Sequence, residues 1–407
     1  MDLPTMTDAN HATLAPVPAD TASPRRRSLF AACGAHAVND GLTDLIYVLL
    51  PIWQAQFGLS YAQIGMMRGA YSATMAGFQL LASRAARRFG RETLLVGGTA
   101  LVGVAYLLAG QAAGLAALLA ALVLGGLGAS TQHPLASSLV TDTHEPGTQV
   151  KQALSQYNFA GDIGKTLIPA LIGVSLTVMS WRLSVTLAGV LGLLAALAMF
   201  LLIPRGAAQR AIKAGSAGEQ GGSGSVSGLR ALLATGFLDS AVRMGFLTFL
   251  PFLLDDKGAG TAGIGFALTL LFVGGAFGKL ICGYLGARIG LLKTVWFSES
   301  LTAALVVAAV FLPLNGLMLL LPLLGLVLNG TSSVLYGVVP ELAAQGRREQ
   351  AFALFYTGTI GGGALAPIVF GRLGDISGVP FALMALAATL LLTLPLTWYV
   401  DRGLRRA

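Results

Sequence analysis

Runs of about 20 apolar residues recur along this chain. In hydrocarbon such a run must satisfy its own backbone hydrogen bonds, which leaves it the α-helix. Twelve are read, at 28–53, 62–84, 93–112, 114–138, 151–179, 182–204, 229–254, 261–285, 292–313, 316–340, 349–373 and 379–400. Composition agrees: 55% of the 407 residues are hydrophobic and 11% charged, with mean hydropathy +0.74. A soluble chain carries about 25% charge. The expected class is therefore an all-α integral membrane protein, with the lipid bilayer as its solvent. The net charge of +8 does not point to nucleic acid, because the basic residues sit in short loops between apolar runs. Cys33 and Cys282 both fall inside spans and say nothing about disulfides or compartment. Residues 1–27 are rich in Thr, Ala, Pro and Asp and have no apolar core of a signal peptide, so a disordered tail is expected there.

Basic loops set the orientation. Arg25, Arg26 and Arg27 precede span one; Arg84, Arg87, Arg88 and Arg91 follow span two. Arg205, Arg210 and Lys213 follow span six, Arg288 and Lys293 span eight, Arg347 and Arg348 span ten, and Arg402, Arg405 and Arg406 span twelve. Apart from Arg182 and Arg372, the intervening loops are poor in Lys and Arg. Both termini are expected on the cytoplasmic side, in a bacterial inner membrane. The stretch 205–228 is Gly/Ser-rich and reads as a flexible linker between a six-span half at 28–204 and another at 229–407.

The halves also repeat at an offset of 200 residues. Pro51 falls on Pro251, Ile64-Gly65 on Ile264-Gly265, Gly90 on Gly290, Ala153-Leu154 on Ala353-Leu354 and Gly161 on Gly361. Parallel repeats of this kind occur in secondary transporters, with the substrate site near the midplane between them.

Twelve spans in two halves, a long central linker and a basic loop after spans two and eight resemble the major facilitator superfamily, from span one to the end of the chain. Within it, "HAVNDGLTD" in span one, "GASTQHPLASSLV" closing span four and "GDIGKTLIPALIG" in span five resemble the fosmidomycin-resistance-like branch of antibiotic exporters. The resemblance implies a transporter working by alternating access, not an enzyme. Gly161, Gly164 and Pro169 are similar to the Gly/Pro motif of drug:proton antiporters, with Ile168 where a Gly often precedes the Pro. The family's loop acid is missing: Arg87 and Ala287 occupy its two positions.

Polar residues in the spans mark the working surface, since ionisable groups at membrane depth are costly. His36, Asp40 and Asp44 recur every four residues and form one stripe on span one, flanked by Asn39 and Thr43. Asp40 lies about 18 Å into the span, near the midplane of a core roughly 30 Å thick. It is the first choice for a proton-coupling carboxyl, with Asp239 in span seven as the second. His36, Asn39, Asp44, Arg68, Asp162, Lys165 and Arg243 are the candidate substrate-binding residues. Three ion pairs are expected from spacing and depth: Asp239 with Arg243, Asp162 with Lys165, and Asp44 with Arg68. The Asp239/Arg243 pair admits a structural reading as well as a cavity role. Lys279 and Glu299, in the cytoplasmic third, are read as snorkelling or helix-pairing groups, and His133 as a local hydrogen-bonding group or a transport group.

The leading function is a proton-coupled exporter of small molecules, acting as a monomer with protons and a small-molecule substrate as partners. The alternative is an uptake symporter for an organic anion, drawn by Arg68, Lys165 and Arg243. The sequence shows no nucleophile–base set, no metal-ligand cluster and no Gly-Lys-Ser/Thr phosphate loop, so neither catalysis, a metal nor a cofactor is expected.

Overall fold

The computed structural model describes residues 19–143, 148–203, 225–344 and 348–405. The described residues form helices and connecting turns and no strand. The helices are α1 (Ala19–Phe57), α2 (Tyr61–Phe89), α3 (Arg91–Gly110), α4 (Leu115–Ala129), α5 (Gln132–Thr143), α6 (Thr148–Ser175), α7 (Trp181–Leu202), α8 (Val226–Asp256), α9 (Gly260–Ile289), α10 (Leu291–Phe311), α11 (Leu314–Gly337), α12 (Val339–Leu342), α13 (Arg348–Ser377), α14 (Val379–Leu390) and α15 (Thr393–Leu404). Spans four, ten and twelve are each broken into two helices, so these fifteen make the twelve expected crossings. Among the described residues, nine crossings are long and apolar enough to span by length and composition alone. The other three are α1, α2 and α6, which carry the polar stripe, Arg68, and the charged residues Asp162 and Lys165.

Two boundaries move. The tail expected to be disordered through residue 27 is helical from Ala19, and the linker expected to end at 228 gives way to α8 at Val226. In the second case Ser225 supplies the start, its side chain accepting a hydrogen bond from the Gly228 amide at 3.2 Å. Residues 1–18 of the expected tail and 205–224 of the expected linker lie outside the described residues.

The repeat survives in the backbone. Gly58 (φ 62°) and Gly258 (φ 85°) turn the chain after the first helix of each half, and Gly90 (φ 86°) and Gly290 (φ 83°) turn it after the second. Both pairs stand 200 residues apart in the left-handed region, where a side chain would be strained.

The core shows how the halves meet. On the side of turns 58–60 and 257–259 a single hydrophobic cluster joins both halves, running from Leu42–Trp53 of α1 through Val242–Leu254 of α8. On the side of the basic loops there are two separate clusters. One lies within the first half, around Leu95, Leu139 and Met199; the other lies within the second, around Leu232, Val295 and Val400. The halves are therefore fused at the turn side and parted at the basic-loop side.

The fusion is tight because small residues line it. A side chain at Gly65 or Gly69 of α2 would strike the carbonyls of Pro367 or Ala364 of α13, and one at Gly371 would strike that of Tyr61. Gly173 and Gly265 bring α6 against α9, where Thr269 donates to the Thr166 carbonyl at 2.9 Å. Asp375, near the end of α13, accepts from the Tyr61 and Ala62 amides at 2.7 and 3.1 Å, so the second half caps a helix of the first.

Candidate substrate and proton site

The polar stripe of α1 lies where the common core gives way to the separate ones. His36, Asn39, Asp40, Thr43 and Asp44 are all buried. Glycines decide what faces them. A side chain at Gly164 of α6 would collide with the Ala37 carbonyl, and one at Gly161 would crowd His36 and Asp40. The glycines of span five thus serve the close packing of α6 on α1, and that packing delivers Lys165 to the stripe.

Asp40 is the centre of the resulting cluster. Lys165 Nζ lies 3.1 Å from its Oδ2, His36 Nε2 lies 3.2 Å from the same oxygen, and His133 Nε2 lies 3.8 Å from Oδ1. Asn39 donates to Oδ1 at 3.3 Å. His36 Nδ1 stands 2.8 Å from the Tyr157 carbonyl, which can only accept, so that nitrogen carries hydrogen and Nε2 is turned to the carboxylate. The His36 ring stacks on Tyr157 at 4.0 Å and meets the His133 ring edge-on at 5.2 Å.

Two of the three expected ion pairs are redrawn. Asp162 does not pair with Lys165 in its own helix; it bonds Lys279 of α9 at 2.7 and 3.1 Å, across the two halves. Lys279 is therefore a bridging group where snorkelling was one expectation, and Lys165 is released to Asp40. Asp44 and Arg68 are not an ion pair. Arg68 donates to Ser72 Oγ at 2.6 Å and lies over the rings of Tyr47 and Tyr71 at 4.9 and 5.7 Å. No Lys, Arg or His nitrogen among the described residues comes within 4.0 Å of the Asp44 carboxylate. A cage of tyrosine faces, which hydropathy and depth do not display, holds the guanidinium instead. The third pair stands: Arg243 lies 3.6 Å from Asp239.

The expectation of no metal-ligand cluster is also corrected, since ligand atoms of His36, Asp40 and His133 gather within 4.8 Å. Lys165 Nζ already sits on Asp40 there, and its positive charge occupies the place a cation would take.

Tyr47 and Tyr71 extend the site toward the closed side. Thr43 and Tyr71 share a hydrogen bond at 2.9 Å, and Tyr47 donates to Met244 Sδ of α8 at 3.5 Å. Arg68 approaches the same sulfur at 4.0 Å, so the first half touches the second beside Arg243.

A helical membrane bundle in two repeated halves, closed on one face and holding buried charge at the point of separation, is the architecture of an alternating-access transporter. The family model of the Major Facilitator Superfamily matches residues 32–237 and 232–406, and the chain belongs to that superfamily. It is accordingly a transporter and not an enzyme. A multidrug transporter of the superfamily from Aspergillus fumigatus is 30% identical over 165 residues, 40% of this chain and 32% of its own length. The cephamycin export protein of Amycolatopsis lactamdurans is 31% identical over 155 residues, 38% of this chain and 32% of its own. The matched stretch thus spans about a third of each curated relative. Among solved structures, an inward-facing, occupied bacterial homologue of the human lysosomal transporter Spinster superposes with TM-score 0.79 at 18% identity, covering 94% of this chain and 98% of its own. A peptide transporter in complex with sulfate gives TM-score 0.78 at 14% identity, over 93% and 95%. At these identities the likeness is one of fold.

Proposed function

We propose that this chain is a proton-coupled exporter of small molecules, an antiporter of the bacterial inner membrane with both termini in the cytoplasm. The observation that carries the reading is the Asp40 cluster, placed where the two halves part. An antiporter needs proton and substrate to compete for one state of one site. A proton on Asp40 removes the charge that holds Lys165 and faces His36 and His133. A polar substrate can then engage those nitrogens, or compete for the carboxylate itself. Asp239, which the repeat sets on Asn39, is the candidate coupling carboxyl of the second half. Asn39, Asp44, Asp162 and Arg68 line or bound the same region, Asp162 through its bridge to Lys279. The partial matches to a multidrug transporter and a cephamycin exporter support the export direction, as do the three segments that resemble fosmidomycin-resistance-like exporters.

The test is a screen of small antibiotics in inside-out vesicles, with and without an acid interior. Export predicts accumulation of at least one compound that requires the gradient. Asp40→Asn should abolish that accumulation while the purified protein still binds the compound. Gradient-driven accumulation that persists in Asp40→Asn refutes the role of Asp40. The second reading, uptake of an organic anion by symport, is favoured by one observation: the Arg68 guanidinium is held by tyrosine faces and a hydroxyl and by no carboxylate. It predicts proton-dependent accumulation of a carboxylate or phosphonate in right-side-out vesicles instead.

A further inference from the structure

Charge bookkeeping separates the two halves. Around the α1 stripe, Asp40 and Asp44 are matched in number by Lys165 and Arg68, of which only Lys165 and Asp40 touch, and Asp162 is paired with Lys279 of the second half. In the second half, Asp239 of α8 and Glu299 of α10 are 4% and 1% exposed. Their carboxyls face each other within hydrogen-bonding reach. Arg243 is the one basic group beside them, 3.6 Å from Asp239, and its other contact is to Ser332 Oγ of α11 at 3.1 Å. Thr331 of α11 donates to Ser298 Oγ, the residue before Glu299, at 2.7 Å. Among the described residues, no other Lys, Arg or His nitrogen lies within 4.0 Å of either acid. Glu299 Oε1 is buried without a hydrogen-bond partner. Two buried acids thus share a single base, and one positive charge is wanting.

The repeat shows that the fold does not require an acid at this place. At the 200-residue offset Glu299 corresponds to Thr99 of α3, which is equally buried and satisfied by the Leu95 carbonyl of its own helix at 2.9 Å. Asp239 and Arg243 correspond to Asn39 and Thr43. All three charges of the cluster are therefore additions to one half.

We propose that Asp239 and Glu299 form a proton-binding site of the second half, in which a single proton is shared between the two carboxyls and Arg243 is the fixed counter-charge. The shared proton brings the cluster to neutrality and satisfies the facing oxygens, one acid donating to the other. Its departure leaves a net negative charge on α8 and α10. That departure is opposed by burial and favoured by any cation or water admitted beside Arg243, whose neighbour Met244 is touched by Tyr47 and Arg68 of the first half. The site is carried by the burial of both acids, the 3.6 Å pair of Asp239 with Arg243 and the unpartnered Glu299 oxygen; its part in coupling rests on the proton-coupled reading given above.

Infrared difference spectroscopy of the purified full-length protein reads the site directly, through the carbonyl stretch of a protonated carboxylic acid and its shift in heavy water. Wild type minus Glu299→Gln and wild type minus Asp239→Asn should each show this band at neutral pH, because either change leaves one acid against Arg243. Wild type minus Asp40→Asn should not show it. Glu299→Thr, which copies the first half's own solution, provides a variant whose packing the fold already tolerates. Absence of the band from all three differences at Asp239 and Glu299 overturns the site, whatever the vesicles show. If the band is present but wild-type transport ignores the gradient, the site stands and the coupling reading falls.

Discussion

Asp40 and Asp44 are one helical turn apart and equally deep, yet their surroundings are opposite. Asp40 has an ammonium and two imidazoles around it, whereas Asp44 has no cation within ion-pair distance. The difference is measurable by double-mutant cycles on the midpoint of thermal unfolding in detergent. Asp40→Asn and Lys165→Gln should couple, with the double change costing at least about 1 kcal/mol less than the sum of the single ones. Each single change leaves one charge of the pair without its opposite, and the double change removes both. Asp44→Asn and Arg68→Gln should be close to additive, within about 0.5 kcal/mol. A double change there that is more stable than either single one would restore the direct pair that depth alone suggests.

At the scale of elements, the closed face is a helix–helix contact and not a loop latch. The superfamily's loop acid is replaced by Arg87 and Ala287. That loop belongs to the opposite, basic-loop face; on the closed face Asp375 caps α2 across the halves, and Gly65, Gly69 and Gly371 let α2 and α13 touch at backbone distance. Loss of a helix cap costs about 1 kcal/mol, which is about a fivefold change in an equilibrium. Asp375→Ala should therefore shift the population toward the state open on the turn side by roughly that factor. Spin labels at Gln56 and Ser377 should report it as growth of a longer distance in pulsed electron resonance. An unchanged distance distribution would show that the glycine contacts alone set closure.

For the whole molecule, the basic loops predict which face is which, and the core predicts which face is shut. Single cysteines at Gln56 and Asp255, both exposed beside the closing turns, should label from outside the cell once Cys33 and Cys282 are replaced. A cysteine at Ser223, in the stretch between the halves, should label only after permeabilisation. External labelling at Ser223 would invert the orientation.

Crossings and repeat were legible in the chain because each depends on local pattern: about 20 apolar residues make a span, and matched residues recur at one offset. The stripe on α1 was legible for the same reason, since four-residue spacing on one helix needs no tertiary knowledge. The Asp239/Arg243 pair was found by that rule as well. Partners on different helices were not. Lys165 turns to Asp40, and Asp162 to Lys279, because Gly161 and Gly164 let α6 lie against α1 and α9 crosses α6 on its other side. Glu299 gave a signal in the sequence, an acid within an apolar run, but depth alone marked it as a group near the surface. Only the assembled second half, in which α10 packs on α11 and α14, set it toward Asp239. A helix specifies its own faces through spacing, whereas the choice of which face meets which is made by close approach of backbones, and that is a property of the assembled bundle.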